Sequence, residues 1–84
     1  EVLGNYPNPF NPATVIKFNL PAEMQVTVSV FNVLGQRVAE LVNGKLTAGE
    51  KSVSFNAAGL SSGVYIYRIQ AGNQTVTRSM LLTK

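Results

Sequence analysis

The sequence predicts an all-β fold, a small antiparallel sandwich of six to seven short strands. Three observations carry this expectation. Apolar and polar residues alternate in several short runs. Turn residues recur about every eight to twelve positions. No stretch repeats its apolar residues at helical spacing, and the nearest candidate, Glu40 to Lys45, is short and uncapped.

Taken in order, residues 1–13 read as a proline-rich arm packed on a sandwich of residues 14–84. Tyr6-Pro7-Asn8-Pro9-Phe10-Asn11-Pro12 holds three of the four prolines, each setting its own φ and extending the residue before it. Asn8 and Asn11 are expected to make local backbone hydrogen bonds. Ile16, Phe18 and Leu20 then alternate with Lys17 and Asn19 as a half-buried strand ended by Pro21. Val26, Val28 and Val30 repeat the pattern, and Leu34-Gly35 closes it. Gln36 to Val42 reads as a third strand, with Val38 and Leu41 out of phase, so a bulge is expected. Asn43-Gly44 is a turn signal. Ala48-Gly49 opens a strand with Val53 and Phe55 on its apolar face, and Asn56 to Gly63 is a loop of small residues. Val64 to Ala71 pairs with Gln74 to Leu82 across Gly72-Asn73 as a hairpin. On its last arm Arg78 interrupts the apolar row of Val76, Met80 and Leu82.

Composition excludes more than it selects. At 84 residues the chain builds one core, with roughly 4–12 kcal/mol of stability expected. It has no Cys, His, Asp or Trp. That removes thiolate nucleophiles, disulfides, Cys/His zinc sites and a Ser-His-Asp triad. The four acids, Glu1, Glu23, Glu40 and Glu50, are scattered and form no acid-base pair. No enzymatic activity, cofactor or metal is expected. The net charge of +3 comes from basic residues spread singly along the chain. Nucleic acid demands clustered ones, so no nucleic-acid partner is expected. No apolar run is long enough to span a bilayer. The chain does not begin with Met, and it is expected to be a piece of a longer or processed protein.

Several segments occur together in a specific order: Tyr6-Pro7-Asn8-Pro9-Phe10, Phe31-Asn32-Val33-Leu34-Gly35, Ala48-Gly49 and Leu60-Ser61-Ser62-Gly63-Val64-Tyr65. Arg78, Met80, Leu82 and Lys84 come after them. This resembles the C-terminal sorting domain of cargo of the type IX (Por) secretion system of Bacteroidetes and their relatives. The immunoglobulin-like domain of flagellar hook-capping proteins is similar through Gly63-Val64-Tyr65. The resemblance implies an immunoglobulin-like sandwich that serves as an address on a larger cargo. It further implies that the secretion apparatus at the outer membrane recognises the domain and that it is usually cleaved off at the cell surface. On the same resemblance the cargo is expected to pass through the periplasm to the surface or medium. In one departure, Arg78 is followed by Ser79 where the family often has two adjacent basic residues.

Recognition by the apparatus is expected to fall on the last strand, Gln74 to Lys84, through Arg78, Met80, Leu82 and Lys84. That strand is read as an uncovered sheet edge able to add a partner's strand. Removing Thr83 and Lys84 is expected to cost little stability and yet to make export fall sharply. Tyr6, Pro7, Asn8, Pro9, Phe10, Gly35, Gly49, Gly63 and Tyr65 are read as structural motif residues. Tyr6 and Phe10 are expected to cap the open end of the sandwich, and the glycines to meet positive φ or close chain approach. Two rivals remain open: a filament-type subunit that assembles through edge strands, and a carbohydrate-binding or adhesive module. The second requires Tyr65 and Tyr67 to be exposed.

Overall fold

A computed structural model describes residues 1–84, and it contains seven strands and no helix. They are β1 (Val2–Tyr6), β2 (Ala13–Leu20), β3 (Met24–Phe31), β4 (Arg37–Leu46), β5 (Gly49–Asn56), β6 (Gly63–Ala71) and β7 (Gln74–Leu82). Two antiparallel sheets form the sandwich, one in the order β1-β2-β5 and the other β4-β3-β6-β7. The inner faces are the alternating residues that the sequence marks. Ile16, Phe18 and Leu20 of β2 face Val26, Val28 and Val30 of β3, with Tyr65, Tyr67 and Ile69 of β6 beside them. Phe10, Phe55, Ala57, Met80 and Leu82 complete the apolar core.

The first strand departs from the arm expected over residues 1–13. Val2–Tyr6 pairs with β2, so of residues 1–12 only Glu1 and Pro7 to Pro12 lie outside the strands. The three X–Pro bonds there are cis. Gly4 and a register shift between Val2 and Gly4 disguise the strand in the sequence. Leu3 is the extra residue, and it reverses the parity of the strand beyond it. Val2 opposes the buried Phe18, while Tyr6 opposes Val15 on the outer face. Tyr6 is therefore 79% exposed and does not cap the sandwich, in contrast to Phe10, which does.

A second departure concerns Asn43-Gly44, which makes no turn. Strand β4 continues through it to Leu46, with Asn43 opposite Thr27 and Gly44 opposite Val26. The Asn43 amide oxygen accepts a hydrogen bond from Gln25 (3.2 Å). A two-residue hairpin returns the chain beside the strand just left, but β5 belongs to the other sheet. The chain instead crosses at Thr47–Ala48. The bulge expected in this strand is present twice. Leu41 and Val38 are each the unpaired residue of a register shift against β3. Elsewhere Gly35, Gly49 and Gly63 sit at φ +83°, +110° and +150°, values that side chains with a Cβ rarely adopt.

Tyr67 lies under the sheet opposite Arg78. Burial raises its hydroxyl pKa above 10, and the Arg78 charge partly opposes this. A raised tyrosine pKa leaves stability untouched below about pH 10 and removes it as pH climbs toward the folded-state value. Chemical denaturation between about pH 8 and 11 should show stability falling above pH 10, and less so in Tyr67→Phe. Equal slopes in the two proteins would exclude Tyr67 as the source.

Candidate recognition edge

Strand β7 is the outer strand of its sheet, paired on one side with β6 from Gly63–Leu82 to Ala71–Gln74. Its C-terminal end is covered, contrary to the bare edge expected. Phe10 forms a parallel bridge to Leu82. The Phe10 N–H donates to the Leu81 carbonyl (2.9 Å), and the Thr83 N–H donates to the Phe10 carbonyl (2.9 Å). The Leu81 N–H donates to the side-chain oxygen of Asn8 (3.0 Å), a contact across the whole chain rather than a local one. Lys84 reaches the Ala58 carbonyl (3.0 Å). Thr83 and Lys84 are thus fastened, and removing them costs a share of this lock, on the order of 1 kcal/mol per hydrogen bond.

The arm that provides this cover is itself anchored. The buried Thr14 hydroxyl donates to the Pro7 carbonyl (2.8 Å) and accepts from the Asn5 amide (3.2 Å). Phe10 fills the end of the core against Phe55, with ring centroids 6.0 Å apart. Asn8 and Phe10 therefore hold β7 from a rigid mount. Pro7, Pro9 and Pro12 have no N–H to contribute, and the donors here come from the residues between them.

These contacts identify which main-chain groups of β7 point outward. Leu81 and Thr83 do, since they meet the arm. Alternation along an antiparallel ladder then assigns Thr75, Thr77 and Ser79 to the same side. Their N–H and C=O groups meet no other strand, because β7 has no neighbour beyond β6 until the arm begins. The open edge is therefore short and bounded, from the hairpin tip at Gly72 to Ser79. Other free edges are blunted. Edge β4 carries its two bulges and β1 carries one, and β5 carries Glu50 and Lys51.

The side chains of the last strand divide between two environments. Met80 and Leu82 are buried in the core, so their side chains set the register of β7 and are not themselves open to contact from outside. Arg78 lies on the same inward row, where the sheets part, and its guanidinium reaches the Val2 carbonyl at 3.5 Å. No carboxylate pairs with it, the only ion pair being Arg37–Glu40. Tyr65 and Tyr67 are both buried, and the Tyr65 hydroxyl donates to the Ser61 carbonyl (2.7 Å). That ends the sugar-stacking reading, which needed both rings in solvent. No group of His, Cys, Asp and Glu is placed to hold a metal ion, and no helix is long and apolar enough to cross a membrane.

A search of curated proteins returns no match. The chain does match a family model described as the secretion system C-terminal sorting domain, over residues 5–83. That span runs from Asn5, which anchors the arm, to Thr83, which closes the edge lock, and so takes in β2 to β7 with the open edge, leaving out only Glu1, the start of β1 and the last residue. The chain belongs to the secretion system C-terminal sorting domain family, the type IX family that its ordered motifs resemble.

Proposed function

We propose that this domain directs a larger cargo protein across the outer membrane by offering the edge of β7, from Gln74 to Ser79, to a strand of the export apparatus. The domain acts by being recognised and carries out no reaction of its own. The observation that supports this most directly is the bounded, unbulged edge at Thr75, Thr77 and Ser79, beside three other edges that are bulged or charged. Main-chain hydrogen bonds from an added strand supply affinity, and the flanking side chains supply choice of partner. Here the unpaired Arg78 selects for a carboxylate on the incoming strand. The cargo then reaches the cell surface or the medium, with the periplasm as its route.

The experiment is a reporter fused ahead of residue 1, produced in a bacterium that has type IX secretion. Thr77→Pro removes one outward N–H and leaves the ladder to β6 intact, a position where edge strands tolerate proline. The variant should still fold, while export falls by about tenfold and the reporter accumulates in the periplasm. Tenfold corresponds to roughly 1.4 kcal/mol, about the worth of one or two edge hydrogen bonds. A folded Thr77→Pro domain that exports at the full rate would sink strand addition at this edge. Fibres or concentration-dependent oligomers of the pure chain, lost in the same variant, would assign the edge to a second copy instead.

A further inference from the structure

The turn between β3 and β4 holds two large apolar side chains in water through its own hydrogen bonds. Val33 is 68% exposed and Leu34 is 79% exposed. Around them the Asn32 side-chain oxygen accepts from the N–H groups of Leu34 (2.9 Å) and Gln36 (3.0 Å). The Asn32 amide donates to the Gln36 side-chain oxygen (2.8 Å). The Asn32 N–H donates to the Gln36 carbonyl, and the Gly35 N–H to the Asn32 carbonyl, both at 3.0 Å. Gly35 takes φ +83° to close the loop. A turn with this many internal bonds does not collapse its apolar tip onto the sheet. It is a stiff mount, and apolar area kept out of water on binding contributes roughly 25 cal/mol per Å².

Behind the tip lies a cleft of about 270 Å³ on the outer face of the larger sheet, lined by Phe31, Val33, Ile66, Arg68 and Thr77 among others. Phe31, Ile66 and Ser79 form one row across the strands, with Arg68 and Thr77 in the next register positions. The Arg68 guanidinium lies over the Phe31 ring, 4.6 Å from its centroid, and no carboxylate pairs with it. From Lys51 onward the chain has Lys51, Arg68, Arg78 and Lys84 and neither Asp nor Glu. Thr77 belongs both to this cleft and to the open edge of β7, so the two surfaces are continuous.

We propose that the Val33–Leu34 tip and the Arg68 cleft form a second docking element. It is read together with the β7 edge by a protein segment that carries an apolar side chain and a carboxylate. The inference rests on the sorting role proposed above and adds the chemistry of the partner. The carboxylate meets Arg68, the apolar group fills the cleft against Phe31 and Ile66, and Leu34 is covered from the far side. Charge complementarity selects this occupant: the cleft holds the Arg68 cation without a counter-ion, and its other polar side chains, Asn32 and Thr77, are uncharged.

The test uses the same reporter fusion with three proteins in parallel: unmodified, Val33→Ser/Leu34→Ser, and Arg68→Glu. Both variants alter surface positions, so their melting temperatures should stay within about 4 °C of the unmodified chain. Export should fall at least about tenfold in the double variant and about fivefold or more in Arg68→Glu, with reporter held in the periplasm. Full export by a folded double variant, while the unmodified domain exports, overturns the second element and leaves the sorting role standing. Full export by Arg68→Glu alone overturns the acidic partner. An unmodified domain that exports nothing overturns both the sorting role and this proposal. A Leu34-dependent dimer of the purified chain identifies a second copy as the occupant and overturns it too.

Discussion

Replacing Phe10 with alanine should lower the stability of the domain by about 3–5 kcal/mol, the usual cost of truncating a buried phenylalanine. Phe10 is 1% exposed and tilts against Phe55, so the cavity opens at the end of the core, where the arm cannot collapse inward without releasing β7. An 84-residue domain has on the order of 4–12 kcal/mol in total. The loss is therefore about a quarter or more of what holds the fold, and the melting temperature should drop by about 15–30 °C. Tyr6→Ala, four residues earlier, is the internal control. Its ring is outside the sandwich, and the change should stay within about 0.5 kcal/mol. Thermal melts of the two variants decide the matter. A Phe10→Ala midpoint within about 5 °C of the unmodified chain would show that Phe10 does not anchor the arm.

Val28→Asp should unfold the chain at neutral pH. Val28 is fully buried in the central strand, between Val42 of β4 and Ile69 of β6. No charged residue belongs to the core cluster around it. An unpaired carboxylate there costs several kcal/mol, comparable to the whole stability of the domain. Burial raises a carboxyl pKa above its unfolded value near 3.9. The folded state is then favoured below that unfolded value, and its advantage is lost as pH rises through the folded one. Circular dichroism of the variant should accordingly show strand signal returning below about pH 4 and absent at pH 7. A dispersed amide spectrum at pH 7 with an unchanged melting point would contradict this account of the core.

What the sequence discloses depends on how local the cause is. Strands β2, β3, β6 and β7 were legible because each has a period of two over at least three inward residues, such as Ile16, Phe18 and Leu20. Val38 and Leu41 marked the irregularity of β4 by falling out of phase. Strand β1 was hidden for the opposite reason, since the bulge at Leu3 erases alternation over a run of only five residues. Asn43-Gly44 misled because a turn signal reports what a dipeptide tolerates, whereas pairing with Thr27 and Val26 decided what it does. At the recognition edge, Arg78 stood out as a charge in an apolar row. The cover over Leu81 did not, because its donors and acceptors, Asn8 and Phe10, lie more than 70 positions away. The exposed tip at Val33 and Leu34 was visible only as a turn, because exposure belongs to the fold and not to the residue types.

The parallel bridge between Phe10 and Leu82 also determines how the domain bears load. The arm enters from one end of the contact and β7 leaves at the other. Tension between residues 7 and 84 therefore slides the two segments past each other. It stretches the Phe10–Leu81 and Thr83–Phe10 hydrogen bonds together instead of peeling them one after another. Bonds loaded in shear share the force, and resistance to pulling is governed by the barrier to that first concerted rupture. The contact that hides part of the edge is thus also a mechanical clamp, holding the proline-rich arm and the last strand together against traction.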